Sequence, residues 1–365
     1  MTDHASLHHL ARQALAAYPL HDARCHLLSI SENVIFRIDT PDGARHALRL
    51  HRPGYHDRAE ISSELAWLDA LRATGLEVPH PVAGLDGACI RTLPGPDGQP
   101  RHAVLFAWME GTEPTTDIDP VAFNRLGHIT ARLHAQSRTW VRPAGFTRKA
   151  WIPATMTGPR ALWGQWQAAP GVNAAACDLI THCLERIDAE LAAYGTPPHR
   201  FGLIHADLRL ANLLVSGSHT RLIDFDDCGL SWFMQDLAAA LSFHEDHPQV
   251  PRWVDHWLAG YATCAQVSAA ELNILPALVI QRRIQLLAWT GTPPAYTPGQ
   301  QPGTGLAGTH AGLMPRMGQG ATAARRRLTG SPLRFGTKRL WASMHPSADN
   351  LLPESDKPLQ GQSFS

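Results

Sequence analysis

The chain has 365 residues, of which 44% are hydrophobic, with 32 basic and 32 acidic side chains. This length exceeds one typical domain, so we expect two lobes around a cleft. A formal net charge of zero excludes a bulk electrostatic attraction to nucleic acid or to a membrane surface. The six cysteines form no C-x-x-C pair, which favours a reducing cytoplasm over a disulfide framework. The N-terminus lacks the pattern of a signal peptide, and no apolar run is long enough to predict a membrane span.

The first part of the chain predicts a small sheet with two helices. Apolar spacing predicts an amphipathic helix over residues 5–18. The runs CHLLSI, NVIFRI and HALRL are typical of strands, and a Pro-Asp-Gly turn separates the last two. A second helix is expected over residues 57–73, with Asp57 as its N-cap and Gly75 just beyond its end.

The second helix carries a carboxylate on its apolar side. At 100° per residue Glu64 falls inside the apolar stripe, and a buried carboxylate needs a partner. Arg49, on the preceding strand, is the residue we expect to pair with it, and Arg52 is a weaker competitor. Simple exposure of Glu64 at the helix edge, or of Arg49 on its strand, remains the alternative.

The central segment, residues 201–227, reads FGLIHADLRLANLLVSGSHTRLIDFDD. It predicts a strand, a polar loop and then two short strands joined by a Ser-Gly-Ser turn. A tight turn brings the outer ends of two strands together, so Asp207 and Asn212 should lie beside Asp224. Carboxylate and amide oxygens in such a cluster suit a hard cation such as Mg²⁺, which also binds nucleotide phosphates.

The pattern His205-x-Asp207-x-x-x-x-Asn212, followed by Ile-Asp224-Phe, resembles the catalytic and metal-binding segments of the protein-kinase-like fold. His-Ala-Asp and Asp-Phe-Asp-Asp are similar to the aminoglycoside phosphotransferase family, which includes choline kinases, type II homoserine kinases and bacterial stress-response Ser/Thr kinases. The resemblance implies an α+β bilobal fold, with a small antiparallel-sheet lobe carrying one main helix and a larger, mostly helical lobe. It also implies ATP and Mg²⁺ as cofactors.

The resemblance further implies roles for the residues singled out above. Asp207 would accept the proton of the attacking hydroxyl, and Asn212 and Asp224 would hold the metal. Arg49 occupies the place of the phosphate-binding lysine of kinases, and Glu64 would steady it over the nucleotide phosphates. The resemblance also implies roles for one loop and one further residue. Residues 29–33 would lie over the phosphates although they contain no glycine, and Asp236 would brace the catalytic loop.

The same resemblance suggests how the chain is divided. AVLFAWMEG resembles the hinge between lobes, which gives a nucleotide-binding lobe over residues 1–110 and a catalytic, acceptor-binding lobe over residues 111–290. Residues 140–200 would shape the acceptor pocket, where several tryptophans either line the pocket or simply pack. Residues 291–365 have a basic composition rich in Pro and Gly, and we expect them to be largely disordered.

The function expected from these observations is ATP-dependent transfer of phosphate to a hydroxyl of a small-molecule acceptor. One alternative is a protein Ser/Thr kinase of the stress-response type. Another is an inactive nucleotide-binding scaffold, although a complete set of Asp207, Asn212 and Asp224 argues against it. Few acidic residues occur between positions 140 and 200, which weakly disfavours a polycationic aminoglycoside acceptor. Neither the acceptor nor the oligomeric state follows from the sequence.

Overall fold

The computed structural model describes residues 4–95, 97–114 and 120–291. The elements of the first part are α1 (His4–Leu15), β1 (Arg24–Ile30), β2 (Val34–Asp39), β3 (Arg45–Leu50), α2 (Arg58–Ala73), β4 (Ile90–Pro94) and β5 (Pro100–Ala107). Those of the second part are α3 (Pro120–Thr139), α4 (Pro153–Met156), α5 (Ala174–Tyr194), β6 (Phe201–Ile204), β7 (Leu213–Ser216), β8 (His219–Leu222), β9 (Gly229–Trp232), α6 (Gln235–Ala240), α7 (Val250–Tyr261) and α8 (Ala269–Gly291).

The first part is an antiparallel five-stranded sheet in the order β1-β2-β3-β5-β4, with a helix on each face. Side chains alternate along β5, so Leu105 belongs to the core formed with α1 while Val104 and Phe106 belong to the core that contains α2. The helices predicted at both places are confirmed.

A capping box starts α2. The Asp57 side chain accepts a hydrogen bond from the Glu60 backbone N–H, and the Glu60 carboxylate accepts one from the Asp57 N–H. This reciprocal cap fixes where the helix begins and therefore which residues face inward. Glu64 lies one turn further along and is buried, as its position in the apolar stripe predicts.

The second part is mostly helical and is held by close backbone contact between α3 and α7. A methyl group on Gly127 would overlap the carbonyl oxygen of Trp257, and one on Gly260 would overlap that of Asn124. Only glycine permits this approach of two helices. The antiparallel strand pair β6–β9 and the hairpin β7–β8 lie against this helical body and carry the central segment.

The start of helix α6 differs from what the local sequence pattern predicts. The run that begins at Trp232 reads as the opening of a helix, but Trp232 ends β9 and pairs with Phe201 of β6. Helix α6 begins only at Gln235. The pairing partner lies far away along the chain, so the local pattern did not reveal the strand.

The α+β class is confirmed, whereas the lobe boundary near residue 110 stays a prediction. Of the predicted tail, residues 291–365, Gly291 is the last residue of α8 and the rest lies outside the described residues. Among the helices that the structure describes, none combines the length and the apolar character needed to cross a bilayer.

Candidate active site

The β7–β8 hairpin brings two of the predicted metal ligands to the same end of the molecule. Leu213 pairs with Leu222, and just beyond this pair the Ile223 N–H donates to the Asn212 carbonyl at 3.0 Å. Asp224 follows directly, in a left-handed backbone conformation with φ of 64°. The predicted hairpin geometry is confirmed, and Asn212 and Asp224 are neighbours because of it.

Asp236 holds the loop that carries Asp207. Its carboxylate accepts hydrogen bonds from the backbone N–H of His205 at 3.2 Å and from that of Ala206 at 2.7 Å. Ala206 has a φ of 70°, which is unfavourable for a residue with a Cβ and needs such support. His134 contacts the same carboxylate through Nε2 at 2.9 Å. The predicted brace is therefore present.

The Asp207 carboxylate is surrounded by nitrogen donors. Arg209 Nε and Asn212 Nδ2 donate to Oδ2 at 2.9 and 2.8 Å, and Arg282 Nη2 donates to Oδ1. Asp207 is itself buried. These bonds fix the orientation of the carboxylate relative to the hairpin.

The side chain of Asn212 is oriented so that its oxygen is available. Its Nδ2 donates to both the backbone oxygen and Oδ2 of Asp207, at 2.8 Å each. Its Oδ1 is buried and has no hydrogen-bond partner among the described residues. A buried amide oxygen without a partner is costly, and a metal ion would satisfy it. This donor set fits Mg²⁺, for which phosphates and water commonly supply the remaining ligands.

The Mg²⁺ ligands would have to include more than protein side chains. In the part of the chain that the structure describes, no three His, Cys, Asp or Glu side chains are grouped to hold a metal ion. Asn212 and Asp224 supply only part of a coordination shell. The nucleotide would therefore complete it.

Arg49 and Glu64 form the predicted ion pair. Arg49 Nη2 lies 2.7 Å from both carboxylate oxygens of Glu64, and both side chains are buried. Arg49 Nη1 also lies 3.8 Å from Asp224 Oδ1. The competitor Arg52 lies instead over the ring of Tyr55, at 5.5 Å. The sheet and α2 thus present one fixed guanidinium to the predicted metal site.

These residues line one cavity of about 230 Å³. Arg49, Glu64, Asp207, Asn212 and Asp224 all contribute to its wall. Three further groups of lining residues come from the loop of residues 29–33, from the predicted hinge and from the second part of the chain. They include Ser29, Ser31, Glu32, Asn33, Trp108, Met109, Gly111, Trp163, Arg209, Asp226, Asp227 and Trp289.

The loop of residues 29–33 is tied across this cavity. Asn33 Nδ2 donates to Asp226 Oδ2 at 2.6 Å, and Trp289 Nε1 donates to Glu32 Oε1. Burial alone would raise the pKa of Asp226, but the charge of Arg49 and other contacts outweigh it and lower that pKa. Asp226 therefore stays ionised and strengthens its bond to Asn33.

A second acid next to the predicted site was not singled out by the sequence. Asp227 accepts a hydrogen bond from the Tyr55 hydroxyl at 2.6 Å, and Trp163 Nε1 donates to that hydroxyl at 2.8 Å. Burial, together with the charge of Asp226, raises the pKa of Asp227 to about 7. Trp163 lines the same cavity as Asp207, while its role toward an acceptor stays a prediction.

Two arginines at the site were also missed. Arg209 lies two residues after Asp207, but this separation in the sequence does not reveal the direction of the Arg209 side chain. Arg282 lies on α8, and the available signal was a pair of adjacent arginines, Arg282 and Arg283, between apolar stretches of this helix.

A kinase-like sheet, a braced Asp207 loop and an Asn212–Asp224 hairpin around one cavity define a phosphotransferase of the kinase-like class. The model of the phosphotransferase enzyme family matches residues 27–271. This chain belongs to that family. The expected class of enzyme, a kinase, is thereby confirmed, and it implies ATP as the phosphate donor.

Three relatives are similar over most of the chain. The structure of a microcompartment-associated aminopropanol kinase is 37% identical and has a TM-score of 0.76, covering 92% of this chain and 98% of that chain. Homoserine kinase from Hyphomonas neptunium (strain ATCC 15444) is 27% identical over 72% of this chain and 80% of its own length. Amicoumacin kinase hAmiN, solved with AMP-PNP, Ca²⁺ and Ami, is 17% identical with a TM-score of 0.68, covering 93% of this chain and 100% of that chain.

Proposed function

We propose that this kinase transfers the γ-phosphate of ATP to a hydroxyl group of a small-molecule acceptor, with Mg²⁺ as its metal. The observation that carries this proposal is the arrangement at the end of the β7–β8 hairpin. There the Asp207 carboxylate accepts a hydrogen bond from the Asn212 amide nitrogen, and the amide oxygen, near Asp224, has no hydrogen-bond partner within the described part of the chain.

The residues of the site would divide the work as follows. Asp207 would orient the acceptor hydroxyl and accept its proton, because it lines the cavity and three side-chain nitrogens fix its carboxylate there. Arg49, held by Glu64, would contact the nucleotide phosphates. Asn212 Oδ1 and Asp224 would hold Mg²⁺, which when bound neutralises charge on the phosphates. Positioning and charge neutralisation account for most of the catalysis in such a reaction.

For the acceptor we favour a short-chain hydroxy compound. An aminopropanol kinase is 37% identical to this chain over almost its whole length, and a homoserine kinase is 27% identical. The names of both relatives refer to small molecules with a hydroxyl on a short carbon chain. They support a small-molecule acceptor over a protein Ser/Thr side chain.

The decisive experiment is a screen of small hydroxy compounds, with aminopropanol and homoserine among them, for ATP-dependent phosphate transfer. Asp207→Asn should lower kcat by about 10²–10⁴-fold while ATP still binds, since the variant removes the proton acceptor and keeps the shape. Asp255→Asn is the matched control, because Asp255 is exposed on α7. Equal transfer rates for wild type and Asp207→Asn would overturn the proposal.

A further inference from the structure

Arg282 is a buried guanidinium that points at the proposed catalytic base. It lies on α8 and is 1% exposed. Its Nε donates to Ser242 Oγ at 3.2 Å, its Nη1 to Gln285 Oε1 at 3.0 Å, and its Nη2 to Asp207 Oδ1. Removing an arginine from water is costly unless its donors are satisfied, and here each nitrogen has a partner. The guanidinium is therefore held in one orientation.

The two oxygens of Asp207 are in different situations. Oδ2 accepts two hydrogen bonds, from Arg209 and Asn212, whereas Oδ1 accepts only the one from Arg282 among the described residues. A carboxylate oxygen has two acceptor sites. Oδ2 is consequently saturated, and Oδ1 keeps one site for an incoming hydroxyl.

We propose that Arg282 is a positioning residue of the phosphotransfer reaction, which orients the Asp207 carboxylate so that Oδ1 faces the acceptor hydroxyl. This inference rests on the proposed role of Asp207. Arg282 acts through Asp207 and does not itself line the cavity.

The planar shape of the guanidinium is part of this role. It lies over the ring of Trp163, with 4.8 Å between the guanidinium carbon and the ring centroid. A lysine ammonium has no fork that could reach Ser242, Gln285 and Asp207 together. Lysine at this position would keep the charge and lose the orientation.

Losing the orientation should affect the chemical step more than binding. Without Arg282, the carboxylate would be anchored through Oδ2 alone and could turn Oδ1 away from the acceptor. A misplacement of about 1 Å at a reacting group costs about 100-fold in rate. The KM values for ATP and acceptor should change little, because Arg282 does not line the cavity.

The test compares Arg282→Met and Arg282→Lys with wild type, using saturating ATP and Mg²⁺ and aminopropanol as the first acceptor. We expect kcat to fall about 100-fold in the methionine variant and at least about 10-fold in the lysine variant, with both KM values within about threefold. Arg283→Met is the matched control. Arg283 is the next residue of α8, pairs with Glu245 at 2.6 Å and does not contact Asp207, so its kcat should stay within about threefold of wild type.

A chemical rescue distinguishes positioning from general structural support. Free guanidinium at millimolar concentration should restore part of the kcat of Arg282→Ala, and methylammonium should restore less. If Arg282→Met does not fold, as judged by circular dichroism, Ser242→Ala and Gln285→Leu take its place. Each removes one bond that holds the guanidinium and should lower kcat about 3- to 10-fold, by roughly 1 kcal/mol.

The outcomes separate this inference from the proposed function. An unchanged kcat in Arg282→Met, or in both substitute variants, overturns the positioning role. A raised acceptor KM with unchanged kcat also overturns it, because that result describes an acceptor-binding residue. Wild-type transfer by Asp207→Asn overturns the proposed function itself, whereas an inactive Asp207→Asn beside an active Arg282→Met overturns only the inference.

Discussion

The Asp236 brace offers a direct test of how the active-site loop is held. Asp236 is fully buried, and its carboxylate accepts three hydrogen bonds, from Ala206 N, His205 N and His134 Nε2. Asp236→Asn keeps the shape but replaces one accepting oxygen with an NH₂ group. The NH₂ group cannot accept a hydrogen bond, so at least one of the N–H donors would lose its acceptor. The hydrogen bonds to the remaining oxygen would be weaker, because that oxygen would no longer carry a negative charge.

The magnitude follows from these contacts. Losing one hydrogen bond to a buried charged group costs about 1.5–3 kcal/mol, and two bonds weakened to neutral strength cost roughly 1 kcal/mol each. We therefore expect Asp236→Asn to lower the free energy of unfolding by about 3–5 kcal/mol. Because Ala206 with its positive φ depends on the same brace, kcat should fall as well, even at temperatures where the variant is folded.

The assay is urea denaturation followed by tryptophan fluorescence, together with steady-state phosphate transfer. Asp255→Asn makes the same chemical change on the exposed face of α7 and should stay within about 0.5 kcal/mol of wild type. A loss below about 1 kcal/mol in Asp236→Asn, with full activity, would refute the reasoning that this carboxylate supports the loop.

Three further predictions test separate features. Glu64→Gln removes the nearest counter-charge of the buried Arg49, so ATP KM should rise about tenfold and stability should fall by about 3 kcal/mol; unchanged values would contradict the pairing. Burial, and next the charge of Arg49, lowers the pKa of His51 well below its usual value. The His51 imidazole therefore binds a proton more readily in the unfolded chain than in the folded one. As the pH falls below about 6.5, the free energy of unfolding should decrease by at most about 1.4 kcal/mol per pH unit. His51→Leu should reduce that slope in urea unfolding between pH 7.5 and 5.5, and identical slopes would count against it. Gly127→Ala should cost about 3 kcal/mol, because the methyl group overlaps the Trp257 carbonyl; a loss under about 1 kcal/mol would show that α3 and α7 can separate.

Features that depend on short stretches of sequence were predictable. The pairing of Arg49 with Glu64 followed from the phase of one helix relative to the strand before it, and the structure shows it. The closeness of Asn212 and Asp224 followed from a hairpin with a tight turn. In both cases local periodicity and turn chemistry determine which side chains meet.

Features that depend on distant contacts were not predictable. Arg282 lies 75 residues from Asp207 along the chain, and its contact depends on how α8 packs against the catalytic loop. The directions of Asp226 and Asp227 depend on the 3₁₀ turn at Phe225–Asp227, which acidic spacing does not encode. The sequence signal for Arg282 was a pair of arginines between apolar stretches of α8, and it does not reveal which residue Arg282 contacts.

The tie of residues 29–33 across the cavity has a consequence for turnover. Asn33 and Glu32 lie in a loop that lines the cavity, so we expect the spent nucleotide to leave more slowly while Asn33 is bonded to Asp226 and Trp289 to Glu32. Breaking two hydrogen bonds to charged acceptors costs about 3–6 kcal/mol, which makes the open form about 10²–10⁴-fold rarer than the closed one. We therefore expect the rate of ADP release, and hence kcat, to depend on how often this loop opens.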